Sequence, residues 1–329
     1  MTKGEVWFRR MVTGVLAFVV LLVFVGAIVR ATGAGLGCPD WPKCWGQLIP
    51  PWKVEQVDLS KINYERFEKK AERLGRDPST VTPEHILENF NPVHTWTEFV
   101  NRLTSLPVGF FALGAVVTSF LLPMGKSRRK MIVLSFLSLF IILVNAVMGA
   151  MVVYSGLKPG IITLHLALAM ILIFILVYCR REVSDQPAFE SGRRVAPLVW
   201  GLLALVVVEG ILGSQVRELT DMLARSHKGE IRTQWIWELE QSAVYLVHRS
   251  FSWLIVILMG VVGWKTWKLG IFEKRAKLMT GLVFAMMVMG VILAQVGVYP
   301  WVQVLHVGVA AIMVTLLCDW SLVLQRARS

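Results

Sequence analysis

The chain lacks most of what a soluble domain shows to water. Only 17% of its 329 residues are charged, and 55% are hydrophobic. The mean hydropathy of +0.61 excludes an ordinary soluble domain and calls for a polytopic membrane protein. Acid is scarcer than base, with 22 Asp and Glu against 34 Lys and Arg, for a net charge of +12. On a soluble protein that excess would suggest nucleic acid. Here the bases cluster between apolar runs, so no nucleic-acid partner is expected and they read as anchors at one membrane surface. There are only four cysteines, and only Cys38 and Cys44 lie close together. With no second pair nearby, a zinc site is disfavoured. No cleavable signal is visible, because the apolar run after Arg10 is too long for one. The short basic head leaves no room for an organellar transit peptide, so a bacterial inner membrane is the expected location.

Eight apolar runs stand at about 11–30, 96–122, 131–153, 161–179, 197–216, 243–264, 278–298 and 301–324. Each is near the ~20 residues that cross the hydrocarbon as a helix. The expected fold is therefore all-α, with eight transmembrane helices. Basic clusters precede the first run (Lys3, Arg9, Arg10), separate the second from the third (Lys126, Arg128, Arg129, Lys130) and follow the fourth (Arg180, Arg181, Arg193, Arg194). Others follow the sixth (Lys265, Lys268, Lys274, Arg275, Lys277) and close the chain (Arg326, Arg328). All five share one side only if both termini are cytoplasmic. The short connections at 154–160 and 299–300 are then periplasmic, as are long loops at about 31–95 and 217–242. Within the first loop, Ser60 to Arg76 reads as a charged surface helix near the membrane, with Ile62, Phe67 and Leu74 as its apolar contacts.

The two halves echo each other. Phe24-Val-Gly-Ala-Ile-Val-Arg30 matches Gly210-Ile-Leu-Gly-Ser-Gln-Val-Arg217, and Glu98-Phe-Val-Asn-Arg-Leu-Thr-Ser105 matches Tyr245-Leu-Val-His-Arg-Ser-Phe-Ser252. Leu164-His165 matches Leu305-His306. Three matches in one order indicate a parallel repeat, hence two pseudo-symmetric four-helix bundles, 1–180 and 181–329.

An ionisable residue within a span costs roughly 2.5–3.5 kcal/mol on insertion scales, so its presence points to function. His248 and His306 each lie about five residues inside the outer end of a span, at a similar depth. Two imidazoles from separate helices are what a six-coordinate haem needs. Zinc or copper is less suited, because no other soft or anionic ligand lies at that depth. In the first half His165 matches His306, but Asn101 stands opposite His248, and Asn is a poor iron ligand. Either this site is five-coordinate or another residue supplies the sixth ligand, with His94 the candidate. His94, Glu98 and Asn101 share one helical face, His94 and Asn101 about 10 Å apart along it. The first half therefore reads as reactive and the second as holding a cofactor.

Arg30, Arg102, Arg217 and Arg249 sit at the outer ends of spans and suit haem propionates, because Arg forks bind carboxylates bidentately. Cys179 and Cys318 lie near the opposite ends and read as inert. Cys38 and Cys44 lie in a Gly/Pro-rich loop on the oxidising side, where a disulfide is expected, either a staple or redox-active.

Together these residues resemble the haem A synthase family. The most specific segment is Thr32-Gly-Ala-Gly-Leu-Gly-Cys-Pro-Asp-Trp-Pro-Lys-Cys44, which is similar to the family's cysteine loop. Glu98-Phe-Val-Asn-Arg102 is similar to its Glu-x-x-His-Arg motif, and His165, His248 and His306 fall where the family keeps its other histidines. The resemblance implies oxidation of the C8 methyl of haem O, through an alcohol and a hydrated aldehyde, to the formyl group of haem A. It implies haem b as cofactor between His248 and His306, and haem O on His165 with Glu98 near the methyl group. It implies three partners: haem O itself, a haem O synthase that supplies it, and an electron acceptor. Membrane lipid surrounds the protein, and self-association stays open. The family's motif histidine is Asn101 here, which draws His94 forward as a contributor. Its histidine after the second cysteine is Trp45 here. Two other functions fit part of this pattern, a di-haem electron carrier of the cytochrome b561 kind and a haem transporter or chaperone. The carrier needs bis-histidine ligation at both sites, which Asn101 opposes.

Overall fold

A computed structural model describes residues 1–73, 77–155, 160–183, 194–227, 229–271 and 273–325. Leu74, Arg76, Arg193, Arg326 and Arg328, and residues 156–159 of one short connection, lie outside the described residues. Eight helices are long and apolar enough to cross a membrane, and no strand occurs among the described residues. They are α1 (Lys3–Ala31), α4 (Pro92–Ser119), α5 (Lys126–Tyr154), α6 (Ile161–Glu182), α7 (Ala196–Ser226), α9 (Ala243–Lys268), α10 (Glu273–Val291) and α11 (Pro300–Gln325). Short helices α2 (Tyr64–Arg73), α3 (Pro83–Glu88) and α8 (Arg232–Glu240) lie in the two long loops. This is a multi-pass membrane protein.

The neighbour relations are the same in the two halves. α1 packs on α4 and α6, as α7 packs on α9 and α11, and α5 bridges α4 to α6 as α10 bridges α9 to α11. Across the middle, α1 meets α11, α7 meets α6, and α6 meets α11. The centre falls on α11, whose most apolar window is 61% buried against 11% for α10. Lipid tails are as apolar as leucine, so such helices associate through close packing over small residues. Gly14 takes the ring of Phe111, Gly114 takes Met11, and Gly308 takes the ring of Phe24. A Cβ at these positions would fall 2.5, 2.6 and 2.1 Å from those side chains.

Three carboxylates join the halves. At the end opposite the cysteine loop, Asp319 of α11 accepts a two-pronged bond from Arg181 of α6. Arg275 of α10 lies 3.4 Å from the same carboxylate. At the cysteine-loop end, Asp221 of α7 pairs with Arg217 at 2.9 Å and with Arg30 of α1 at 3.3 Å. Glu218, one turn back, accepts from the Gly160 amide and the Thr163 hydroxyl at the start of α6, each at 3.0 Å.

The structure corrects two boundaries. The fifth span continues about ten residues past its expected end, to Ser226. The extension carries Glu218 and Asp221, whose partners lie on α6 and α1. The charged helix begins at Tyr64, not at Ser60, because Leu59–Lys61 form a separate 3-10 turn. Asp58 caps that turn through the Ser60 amide. Its hydrogen bond from Lys61 and those from Ser60 lower its carboxyl to about 2. The helix is also not alone on the surface. Ile62 and Phe67 pack with Cys38, Cys44, Trp45, Ile86 and Phe90 into a small core of their own above the spans.

Candidate functional site

Besides His94 in the first turn of α4, three histidines stand in the membrane-spanning helices, and each of these three faces a glycine on a neighbouring helix. A Cβ on Gly149 of α5 would lie 3.9 Å from Cε1 of His165, and one on Gly290 of α10 would lie 3.8 Å from Cε1 of His306. On Gly213 of α7 it would lie 3.2 Å from Cε1 of His248. The Nδ1 atoms of all three are buried without a hydrogen-bond partner among the described residues. His248 and His306 are close enough for charge on one ring to be felt at the other. Local sequence sets these orientations. Ser242 caps α9 through the Tyr245 amide, and Asn91 caps α4 through the His94 amide with Pro92 in its first turn. The helical phase of His248 and of Asn101 is thereby fixed from the outer ends inward.

The residues fit haem better than a bare metal ion. Among the described residues no three His, Cys, Asp or Glu side chains converge into a metal-binding group. What is present is imidazoles on separate helices, glycines that leave their rings room, and ring nitrogens that the protein leaves unsatisfied. The two halves differ in one respect. Gly26 precedes Arg30 as Gly213 precedes Arg217, but a Cβ on Gly26 would meet nothing within 4 Å. Where the second half has an imidazole against its glycine, the first half has the shorter Asn101, whose Oδ1 is buried and unpartnered. Gly213→Ala should therefore crowd His248 and lower its cofactor content several-fold. Gly26→Ala, in the other half, should leave haem b content and thermal stability unchanged. Absorption spectra of the two purified variants check the pair.

The sequence reading missed Glu209. It lies in Val206-Val-Val-Glu209 on α7, and its Oε1 is 3.2 Å from Nδ1 of His248, though not aligned for a hydrogen bond. The same oxygen accepts the Ser252 hydroxyl. A lone acid inside an apolar run was the available signal, of the same kind that drew attention to the histidines.

The cysteine loop closes over the outer end of α4. Cys38 and Cys44 are joined, with their Cα atoms 4.8 Å apart. Glu98, only 3% exposed, accepts the Cys38 amide at 2.8 Å and pairs with Arg102 at 2.5 Å. Arg102, read from the sequence as a propionate ligand, holds this carboxylate of the protein's own. It also donates to the Asp40 and Lys43 carbonyls, each at 2.8 Å. Trp45 does structural work. Its indole donates to the Gly37 carbonyl at 2.8 Å and to Thr95 at 3.0 Å, and its ring meets Phe90 edge-on at 5.1 Å. Its backbone is left-handed, with φ at 57°, a conformation that costs a non-glycine residue about 1–2 kcal/mol. Asp40 offsets that by accepting the Trp45 and Gly46 amides at 2.7 and 2.9 Å. His94 lies beneath the loop, its backbone against Gly37. Its ring makes no hydrogen bond with any described residue.

Of the other arginines, Arg30 and Arg217 share Asp221, and Nε of Arg217 is buried without a partner. Two cations on one carboxylate leave a net positive charge able to take a further anion. Arg249 is exposed. Arg232 of α8, which drew no attention in the sequence, donates to the Leu293 and Ala294 carbonyls in the π-helical end of the seventh span, Ile292–Val296. Burial holds its guanidinium below its ordinary value.

The model of one protein family, COX15-CtaA, described as a cytochrome oxidase assembly protein, matches residues 9–318. The chain belongs to this family. A Heme A synthase of Listeria monocytogenes is 23% identical over 330 residues, covering 94% of this chain and 92% of that protein. A Heme A synthase of Brucella ovis is 25% identical over 304 residues, 84% of this chain and 80% of its own length. One of Shewanella oneidensis is 23% identical over 201 residues, 60% of this chain and 53% of its own. Family membership thus spans nearly all the described helices, α11 and the cysteine loop included.

Proposed function

We propose that the protein is a haem A synthase, an oxidoreductase that converts the C8 methyl of haem O to the formyl group of haem A. Family membership and the names of its relatives support this. The observation that carries it is the difference between two matched halves: His248 packs against Gly213 in one, while in the other Asn101 stands at the matching position and Gly26 has open space beside it. Two equivalent carriers would give no reason for that difference.

In this reading the chain forms two pseudo-symmetric bundles, 1–180 for the substrate and 181–329 for the cofactor. It sits in a bacterial inner membrane with both termini cytoplasmic, which puts the disulfide on the oxidising side. His248 and His306 hold haem b, which when bound supplies one-electron transfer. His165 holds haem O, and Asn101 with Gly26 leaves space on the side where the second half has an imidazole. His94, about 10 Å further out along α4, is the candidate for the sixth position. Glu98 with Arg102 sets a charged pair beside the substrate edge, where a carboxylate accepts a proton or stabilises positive charge growing at the methyl carbon. Arg217, Arg30 and Arg249 take propionates. A haem O synthase supplies the substrate, and an electron acceptor receives the electrons.

The test is haem extraction and chromatography of protein purified from cells co-expressing a haem O synthase. Haem A or its alcohol precursor, alongside haem b, is the expected result. Haem b alone in a fully loaded protein would favour the electron-carrier reading.

A further inference from the structure

Glu209 is matched in the first half by Leu22, each lying eight residues before the paired arginines Arg217 and Arg30. The acid therefore belongs to the second site alone. It is largely buried, with 14% of its side chain exposed, in a span where a charge is expensive. One oxygen lies 3.2 Å from Nδ1 of His248 and takes the Ser252 hydroxyl. The other is buried with no partner. Among the described residues, only His248 of these three histidines has a carboxylate beside its Nδ1, although none of the three Nδ1 atoms makes a hydrogen bond there.

A histidine that binds iron through Nε2 carries its proton on Nδ1, and a partner for that proton fixes the tautomer and makes the ligand more basic. We infer that Glu209 is a positioning residue for His248. It keeps Nε2 free for iron, and its charge favours the ferric over the ferrous state of the haem held there. This rests on the assignment of His248 and His306 as the haem b site. Ser252 moderates the effect by donating to the same oxygen that faces His248.

The test is redox titration of the purified, haem-loaded protein, followed optically and by electron paramagnetic resonance. Glu209→Gln should shift the ferric-ferrous equilibrium of haem b about tenfold towards ferrous, a rise of about 59 mV for a one-electron couple. Ser252→Ala, which leaves more charge facing the imidazole, should shift it the opposite way. A merely structural role for Glu209 would not give shifts of opposite sign. An unchanged potential in Glu209→Gln with haem b fully bound overturns the inference. If that variant does not retain haem b, Ser252→Ala decides: a lowered potential supports the inference, and an unchanged one overturns it. Wild-type protein without a bis-histidine haem b overturns the inference and the site assignment beneath it together.

Discussion

His248→Ala is expected to purify with its haem b content reduced at least about tenfold, the lower end of what removing support for a bound metal costs, and with haem A production at background. The substitution would remove one of the two proposed haem b ligands and leave its neighbours facing a void. Gly213 has no side chain to fill the space, and Glu209 becomes a largely buried acid whose remaining partner among the described residues is Ser252. His165 lies in the other half with Gly149 beside it and should keep its occupant. Pyridine haemochrome analysis of His248→Ala and His165→Ala in parallel separates the two sites. Unchanged haem b in His248→Ala would remove His248 from the cofactor site.

The second large effect is expected at Glu98. Glu98→Gln should keep haem b but slow the conversion of haem O by about 10²–10³-fold, the usual cost of losing one preorganised electrostatic group. The amide still accepts the Cys38 N–H, so the cysteine loop keeps its anchor on α4. What is lost is the charge facing Arg102, a partly buried cation whose other acceptors among the described residues are carbonyls. Glu98→Ala removes the anchor as well, and with it about 3–5 kcal/mol of support for a buried ion pair. A glutamine variant that converts haem O at the wild-type rate would show that Glu98 only holds the loop. Equal proteolysis of the loop in wild type and Glu98→Gln would show that slow conversion reflects chemistry.

Much of this was legible in the sequence for physical reasons. Spans declare themselves by length and apolarity, and histidines inside them stand out because an ionisable group there needs a purpose. The loop disulfide followed from two cysteines six residues apart in an otherwise cysteine-poor chain. What escaped notice depends on pairing through space. Glu218 and Asp221 looked like loop residues because they are charged, yet their partners on α6 and α1 make them part of α7. Arg102 looked like a ligand for an external carboxylate, although Glu98 four residues earlier on the same helix was the partner its spacing offered. Trp45 looked like a lost histidine. Its role in the outer core shows only when Thr95, Phe90 and Gly37 come together around it.

Asp221 and Asp319 sit at opposite ends of the molecule; Asp221 ties Arg30 of α1 to α7, and Asp319 ties Arg181 of α6 to α11. Alternating access moves one repeat against the other, opening first one face and then its opposite. Here either opening would have to pull an arginine off a shared, mostly buried carboxylate, and no second acid lies at the matching positions, Ala34 and Tyr178, to receive it. The two halves are fastened at both doors, which suits the proposed chemistry between two haems held at fixed separation and opposes carriage of a haem from one side of the membrane to the other.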